Sequence, residues 1–255
     1  MPLFLVAVVV GFLVAQVATL FTTIYLHRAL SHRALSMRPA AALAFRFLLW
    51  ITTGLKAREW VAVHRKHHAF TDEPADPHSP AQLGWVRVQL TNAALYRRVA
   101  RDPESVPRYA RDLPPDRWDR VLFDRAWLGL GIGIAVLVVA LGPVYGMVAA
   151  VSHTVSYLML NAAVNAIGHT FGKRPYANSA TNLQWLALLT SGEGLHNNHH
   201  AAPTSAKLAL HRGEIDPAWY LIALLRSVGL VRVRLNKVVL APGGAGGESA
   251  ERRSA

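Results

Sequence analysis

The chain has 255 residues, 52% of them hydrophobic, and its mean hydropathy is +0.23. The apolar residues form longer runs than a soluble core needs, which predicts an integral membrane protein. The formal net charge is +12 and there is no cysteine, which excludes a cysteine-ligated iron–sulfur cluster. Because membrane topology accounts for most of the charge, we expect no nucleic-acid partner.

The first apolar run has no charged residue from Pro2 to Leu26. As a helix it would be about 36 Å long, enough to cross a bilayer. A signal peptide would carry a basic segment ahead of its apolar stretch, and none precedes Phe4. The run therefore predicts a transmembrane helix that leads into His27.

Two later apolar segments are too short to cross a bilayer. Ala40 to Leu55 is interrupted by Arg46, and we expect an interfacial or re-entrant helix with that arginine directed toward lipid headgroups. A full crossing there would put the histidines before and after it on opposite sides of the membrane. Leu183 to Thr190 is also too short to span.

The second uncharged block, Ala126 to Gly168, is long enough for two crossings, and Gly142 and Pro143 mark a turn between them. All 27 Lys and Arg residues lie outside the two uncharged blocks. By the positive-inside rule both basic regions face the cytoplasm. The sequence thus predicts an all-α membrane protein with about three transmembrane helices and a cytoplasmic helical cap that carries the histidines.

Eight of the twelve histidines have the spacing of metal ligands, and the isolated His169 is the candidate for a ninth ligand. The eight are His27 and His32; His64, His67 and His68; and His196, His199 and His200. Imidazole suits iron, copper and zinc, and a single structural zinc needs only four ligands. This number predicts two metal ions in a site built from nitrogen ligands.

Helical periodicity indicates how these rings could converge. In each HxxHH unit the histidines at i, i+3 and i+4 fall within an arc of about 100°, so two helices can aim six rings at one point. His27 and His32 are at i and i+5, roughly 140° apart on an ideal helix. Either each serves a different metal or the helix is distorted there.

The other three histidines, His78, His153 and His211, fit no cluster, and we expect them to be structural or surface residues. Carboxylates adjoin the clusters, and they are candidates to orient the ligand imidazoles by hydrogen bonds without binding the metal themselves. These are Asp72, Glu73 and Asp76 after the second cluster and Glu193 before the third. The alternative interpretation of residues 72–76 is a solvated turn.

The clusters and their flanking residues resemble the histidine boxes of the membrane fatty acid desaturases, in particular the bacterial acyl-CoA Δ9 (stearoyl-CoA) type. The matching motifs are HRALSHR from His27, EW followed by HRKHH from Glu59, DPHS from Asp76, and EGLHNNHH from Glu193. The segment from Asn165 to Tyr176 is similar to the one that supplies the family's ninth histidine, here His169. It also contains an asparagine, Asn165, that would reach a metal through water. The resemblance covers roughly Thr22 to Pro203.

This resemblance implies a di-iron site that uses O₂ to remove two hydrogens from adjacent methylenes of a saturated acyl chain, giving a cis double bond and water. The nine histidines would be the iron ligands, and Trp60 and Arg174 are candidate substrate contacts. Residues 1–240 would form the desaturase domain, in a bacterial inner membrane with its active site on the cytoplasmic face. The Gly-rich tail, residues 241–255, is predicted to be disordered.

Two features depart from the family pattern. Family members commonly have a further spanning helix before the first box, whereas this chain starts shortly before His27. We expect an N-terminus outside the cell, with oligomerisation, a partner helix or an alternative start site accounting for the difference. Val63 stands where acyl-CoA enzymes often have an acidic residue, so both acyl-CoA and acyl-lipid substrates stay open.

The electrons must come from another protein, because the chain lacks both cysteine and a Gly-rich nucleotide fingerprint. The expected partner is a ferredoxin, a rubredoxin or a cytochrome b5-like donor with its reductase. A basic surface that includes Arg97, Arg98 and Arg101 could dock this donor.

Two other functions fit the histidines. A membrane hydroxylase or other oxygenase would use the same boxes, and sequence does not separate it from a desaturase. A metal transporter or sensor would place ionisable residues within its spans. Apart from His153, the predicted spans hold only Gln16, a few hydroxyls, Asn161 and Asn165, which disfavours transport.

Overall fold

The computed structural model describes residues 2–234, which form helices and one small sheet. The helices are α1 (Leu3–Phe21), α2 (Pro39–Thr53), α3 (Ala57–Ala69), α4 (Pro80–Leu83), α5 (Trp85–Ala100), α6 (Ser105–Tyr109), α7 (Ala126–Leu141), α8 (Pro143–Ala166), α9 (Gln184–Leu189), α10 (His196–Ala201) and α11 (Pro217–Ser227). Two π-helical segments, π1 (Thr22–Ser31) and π2 (Asp119–Phe123), and two strands, β1 (Leu35–Met37) and β2 (Val231–Val233), complete the elements of this part of the chain. The predicted domain boundary at residue 240 and the tail 241–255 lie outside the described residues.

The longest apolar helix is formed by α1 and π1 together, which run without a break from Leu3 to Ser31. Within residues 2–234, this helix and α8 are long and apolar enough to cross a membrane. The bent pair of α2 and α3 would raise that number to three if it formed one span. The expected helical hairpin of α7 and α8 is present, with Gly142 at its turn (φ 80°). At 16 residues α7 is shorter than a typical span.

Glycines allow the apolar helices to approach closely. A Cβ added at Gly11 of α1 would overlap the carbonyl oxygen of Ala149 in α8. A Cβ added at Gly133 of α7 would likewise overlap the carbonyl oxygen of Ile51 in α2. Small residues at such crossings let helix backbones come into van der Waals contact, which drives association where water is absent.

Helix α2 ends at Gly54 (φ 64°) and its axis makes an angle of 86° with α3. His153, near the middle of α8, donates a hydrogen bond from Nε2 to the carbonyl oxygen of Thr52 (2.6 Å). The C-terminal end of α2 therefore lies among the apolar helices. His153 is buried and structural, in agreement with its interpretation from sequence.

Arg46 of α2 does not reach outward as expected. Its guanidinium forms ion pairs with Asp116 and Asp119 (2.6 Å each) and lies over the ring of Phe123. The carboxylates compensate the charge within the protein, and these contacts attach α2 to the segment that leads into α7.

The region after π1 is joined to the last described residues. Strands β1 and β2 pair antiparallel, with Leu35 opposite Val233. A buried cluster that includes Ile24, Phe45 and Ile222 packs π1, α2 and α11 together. This core fixes π1, and with it the first pair of histidines, relative to the rest of the fold.

Candidate metal centre

The nine histidines singled out from the sequence converge into two adjacent groups. The first group is His27, His32, His64, His68 and His199; the second group is His67, His169, His196 and His200. Within each group one ring nitrogen from every member lies within 4.8 Å of all the others. No other histidine belongs to either group.

Each HxxHH unit contributes to both groups instead of aiming all its rings at one point. On α3, His64 and His68 belong to the first group and His67 to the second; on α10 the division is reversed, with His199 alone in the first group. Residues i and i+4 differ by about 40° around a helix, whereas i+3 lies on the other side of i. One helix can therefore supply two neighbouring sites.

The π-helix changes the expected role of the first pair. The backbone N–H of His32 donates to the carbonyl oxygen of His27 (3.1 Å), an i to i+5 bond. Wider turns of this kind bring residues five apart onto the same side, and both rings enter the first group. The expectation that each serves a different metal is wrong, and the alternative expectation of a distorted helix is correct.

The ring nitrogens within each group face one another closely. In the first group Nε2 of His27 lies 3.0 Å from Nε2 of His199, and Nε2 of His32 lies 2.7 Å from that of His64. In the second group Nε2 of His200 lies 3.3 Å from that of His196. A single imidazole can donate only one proton to one such neighbour, so pairwise hydrogen bonds cannot satisfy the groups. A cation that accepts all the lone pairs can.

Electrostatics favour the neutral form that binds metal. Burial, followed by the repulsion of neighbouring histidines, holds six of these pKa values well below the usual 6.5; the residues are His32, His64, His68, His196, His199 and His200. Neutral rings keep a lone pair available at pH 7. The donor set therefore fits metal ions that prefer nitrogen ligands.

Three carboxylates hold the far nitrogen of a ligand candidate. Asp76 accepts from Nδ1 of His67 (3.0 Å), Asp72 from Nδ1 of His169 (2.9 Å), and Glu193 from Nδ1 of His27 (2.7 Å). Each bond fixes the tautomer that leaves Nε2 free to face its group. These contacts involve three of the four carboxylates that the sequence suggested for that role.

The carboxylate pKa values agree with this arrangement. Burial alone would raise the pKa of Glu193, but His27 and Arg28 hold it below its usual value. Burial also opposes ionisation of Asp76, whose pKa is nevertheless lowered by the hydrogen bond from His67. Both groups are therefore carboxylates at neutral pH, as the contacts require. Glu73, by contrast, is exposed.

A buried ion pair, which the sequence did not predict, is connected to Glu193 through Thr23. Arg28 donates two hydrogen bonds to Asp216 (2.7 and 2.9 Å) and one to the hydroxyl of Thr23 (3.2 Å), which in turn donates to Glu193. The network thus runs from the start of α11 to Nδ1 of His27. Asp216 is 188 residues from Arg28, and no local pattern connects the two.

The expectation that His78 fits no cluster is wrong. His78 is buried, its ring centroid lies 4.9 Å from that of His67, and with Asp76 these residues form a third possible ligand group. The reason is local, because the backbone N–H of His78 donates to Asp76 (3.0 Å) and folds the chain back. His211 is exposed and stacks on Tyr176, as a surface residue would.

A cavity of about 710 Å³, including the open space at its mouth, adjoins the histidines. Its wall includes His64, His196 and Asn165, together with Trp60, whose ring stacks on His64 at 5.0 Å. Arg174 is exposed at the surface, where it donates to the carbonyl oxygen of Ser179, and is not in the cavity wall. Of the two predicted substrate contacts, the structure places only Trp60 beside the candidate centre.

Comparisons with known proteins show which proteins the chain is similar to. The family model for fatty acid desaturase matches residues 2–226. The chain is similar to the acyl-CoA C20 Delta5-desaturase of Anemone leveillei, with 32% identity over 82% of this chain and 67% of that protein. It is 29% identical to the sn-1 stearoyl-lipid 9-desaturase of a Synechocystis strain, over 82% of this chain and 65% of that protein. Delta-9 acyl-lipid desaturase 1 of Arabidopsis thaliana is also 29% identical, with 87% and 72% covered.

Proposed function

Because the chain belongs to the fatty acid desaturase family, we propose that it is a membrane enzyme that uses O₂ to introduce a cis double bond, at Δ9, into a saturated acyl chain. Family membership makes it an oxidoreductase acting on acyl chains. The observation that carries the proposal is the pair of histidine groups beside one cavity.

We propose that the metal is iron. The first histidine group would hold one ion, and the second group, with Asn165 acting through water, would hold the other. When bound, two irons would supply O₂ activation and the oxidising power that removes hydrogens from adjacent methylenes. Nine histidine nitrogens and no cysteine fit metal ions bound by nitrogen better than they fit a sulfur-ligated cofactor.

The chain's own residues would position and protect the reaction. Asp72, Asp76 and Glu193 hold the ring protons on Nδ1 and so orient three ligands. Trp60 braces His64 by stacking and borders the space for the substrate. With an acyl chain bound, the cavity would exclude bulk water and fix which methylenes approach the centre.

The substrate is proposed to be an acyl-lipid or an acyl-CoA. The named relatives include both kinds, a stearoyl-lipid 9-desaturase and an acyl-CoA Delta5-desaturase. Val63, immediately before His64, is buried and apolar. It offers no charge to a headgroup, which favours a lipid ester over CoA.

The site is proposed to face the cytoplasm of a bacterial inner membrane, where a ferredoxin, a rubredoxin or a cytochrome b5-like donor with its reductase can reach it. Arg97, Arg98 and Arg101 are exposed at the C-terminal end of α5 and could bind an acidic donor. Reversing their charge should slow electron transfer and weaken its salt dependence. An unchanged rate and salt dependence would contradict this docking surface.

The proposed activity is tested by the fatty acid profile of an iron-replete host that expresses the intact chain, His199→Ala or His211→Ala. Mass spectrometry should locate a new double bond with the intact chain and with His211→Ala, and none with His199→Ala. Purified protein should contain two irons per chain, and fewer in His199→Ala. Supplying a ferredoxin and its reductase removes the donor as a limitation, and an unchanged profile under that condition contradicts the proposal. A hydroxylated lipid would assign an oxygenase instead.

A further inference from the structure

Part of the cavity wall is formed by polar residues that belong to neither histidine group. Thr19 of α1 and Asn92 and Tyr96 of α5 line the same cavity as His64. Asn92 and Tyr96 are four residues apart and therefore share one face of α5. Oγ1 of Thr19, Oδ1 of Asn92 and the hydroxyl of Tyr96 are buried and have no hydrogen-bond partner among residues 2–234.

Neighbouring polar groups in the same region are paired. The hydroxyl of Thr22 bonds to the carbonyl oxygen of Ala18 (2.9 Å) and to the hydroxyl of Tyr157 (2.8 Å). The amide of Asn161 donates to the carbonyl oxygen of Tyr157 (2.8 Å). Local packing thus satisfies those groups, whereas the three oxygens on α1 and α5 border the cavity without a protein partner.

An unsubstituted hydrocarbon in this cavity would leave these oxygens buried and unpaired, which is unfavourable. Oδ1 of Asn92 can only accept a hydrogen bond, while the hydroxyls of Tyr96 and Thr19 can donate or accept. A carbonyl group on the ligand could accept from the hydroxyls but could donate nothing to Asn92. A hydroxyl group on the ligand can do both.

We propose that the cavity binds an acyl chain that carries a hydroxyl group, and that Thr19, Asn92 and Tyr96 are its hydrogen-bonding partners. The inference rests on the proposed function and specifies its substrate class. A site built to bond a substrate hydroxyl discriminates strongly against the analogue that lacks it, because its own polar groups are then left unpaired.

The test is competitive retention by the iron-loaded full chain in phosphatidylcholine nanodiscs. The probes are methyl stearate and methyl hydroxystearates with the hydroxyl at successive positions along the chain, mixed in equal amounts. Bound esters are extracted and quantified by mass spectrometry. Both kinds of probe have the same ester carbonyl, so the retention ratio reports the hydroxyl alone.

We expect at least one hydroxystearate to be retained about 10-fold over methyl stearate. Tyr96→Phe, Asn92→Leu and Thr19→Val change little but the polar atom, and each should lower that ratio by about 3-fold or more. Tyr220→Phe removes the hydroxyl of a tyrosine that is 67% exposed and should leave the ratio unchanged. Iron content checks that every variant is folded.

A ratio near one for every hydroxyl position in the wild-type protein would overturn the inference. So would a high ratio that survives in the protein carrying all three substitutions. If methyl stearate is retained equally well but the host gains a double bond in an unsubstituted chain, the desaturase assignment stands and only this inference fails. A clear hydroxyl preference with no new double bond, when the expressing host is also fed the preferred hydroxystearate, contradicts the desaturase assignment and leaves the hydroxyl site supported.

Discussion

Glu193 illustrates how single side chains prepare the candidate centre. Its Oε1 accepts from Nδ1 of His27 and from the hydroxyl of Thr23, and the guanidinium of Arg28 lies 3.9 Å from the same oxygen. The sequence suggested Glu193 because it adjoins the third cluster. It could not show that the histidine it holds belongs to the first cluster, because that contact joins residues 166 positions apart.

Replacing Glu193 by glutamine should weaken metal binding. The amide either presents an N–H to Nδ1 or accepts without charge, so His27 is held less firmly with Nε2 toward the centre. Loss of such a partner typically lowers metal affinity or activity by about 10–100-fold. Competition with a chelator measures the affinity. Glu73→Gln alters an exposed carboxylate and should bind as the wild type does; an equal effect of both changes would contradict the role of Glu193.

His78 shows the limit of motif spacing at the same scale. It lies two positions after Asp76, where its backbone N–H donates to that aspartate and the chain folds back. Spacing on a helix cannot describe a residue in such a turn. Its place against His67 was therefore visible only in the structure.

At the scale of elements, π1 and the glycine contacts of α7 position the histidine-bearing segments. The spacing of His27 and His32 indicated either that they bind different metal ions or that the helix is distorted. Only the backbone hydrogen bonding decides between these alternatives. The hairpin turn at Gly142 was predicted, because glycine before proline is a strong local signal. Contact between α2 and α7 was not predicted, because it depends on helix packing.

Gly133 and Gly131 provide a matched test of that contact. Alanine at Gly133 would overlap the carbonyl oxygen of Ile51, whereas nothing lies within 4 Å of a Cβ at Gly131. We expect Gly133→Ala to destabilise the protein by about 1–3 kcal/mol and Gly131→Ala to be neutral or slightly stabilising. Thermal unfolding in detergent measures the difference. Equal unfolding midpoints would show that α2 and α7 do not pack closely.

The ion pair of Arg28 and Asp216 connects π1 to the start of α11 and is almost fully buried. Asp216→Asn should destabilise the protein by about 3–5 kcal/mol, because it leaves a buried guanidinium without its main partner. Asp116→Asn breaks a pair whose carboxylate is 47% exposed, and should change the free energy of unfolding by about 0–1 kcal/mol. Chemical unfolding of the two variants compares them directly. Similar changes in the free energy of unfolding for the two variants would contradict a stabilising role of the buried pair.

At the scale of the whole molecule, the concentration of neutral histidines makes stability depend on pH. Their pKa values are lowered by burial in the folded protein, so the unfolded chain binds more protons as the pH falls below about 6.5. Stability without metal should therefore decrease between pH 7 and pH 5, by up to about 1.4 kcal/mol per pH unit for each such histidine. Carboxylates with lowered pKa values add to the loss only below about pH 4.

Unfolding midpoints of detergent-solubilised protein at pH 7.5, 6.5 and 5.5, with a chelator present, test this dependence. The metal-loaded protein serves as the control, because bound metal competes with protons for the same nitrogens. The unfolding midpoint of the metal-loaded protein should stay constant down to a lower pH than the midpoint of the metal-free protein. A metal-free midpoint that is constant from pH 7.5 to 5.5 would contradict neutral, buried histidines.

The sequence by itself determined the helical membrane character, the nine histidines and the neighbouring carboxylates. These follow from uncharged runs, from helical spacing and from residue chemistry, all of which act within one segment of the chain. Tertiary structure alone decided how each HxxHH unit divides between the two groups, where His78 lies, and that Arg28 meets Asp216. It also decided that Thr19, Asn92 and Tyr96 border one cavity. The physical reason is that local periodicity fixes which face of a helix a residue occupies, whereas packing between distant helices fixes what that face meets.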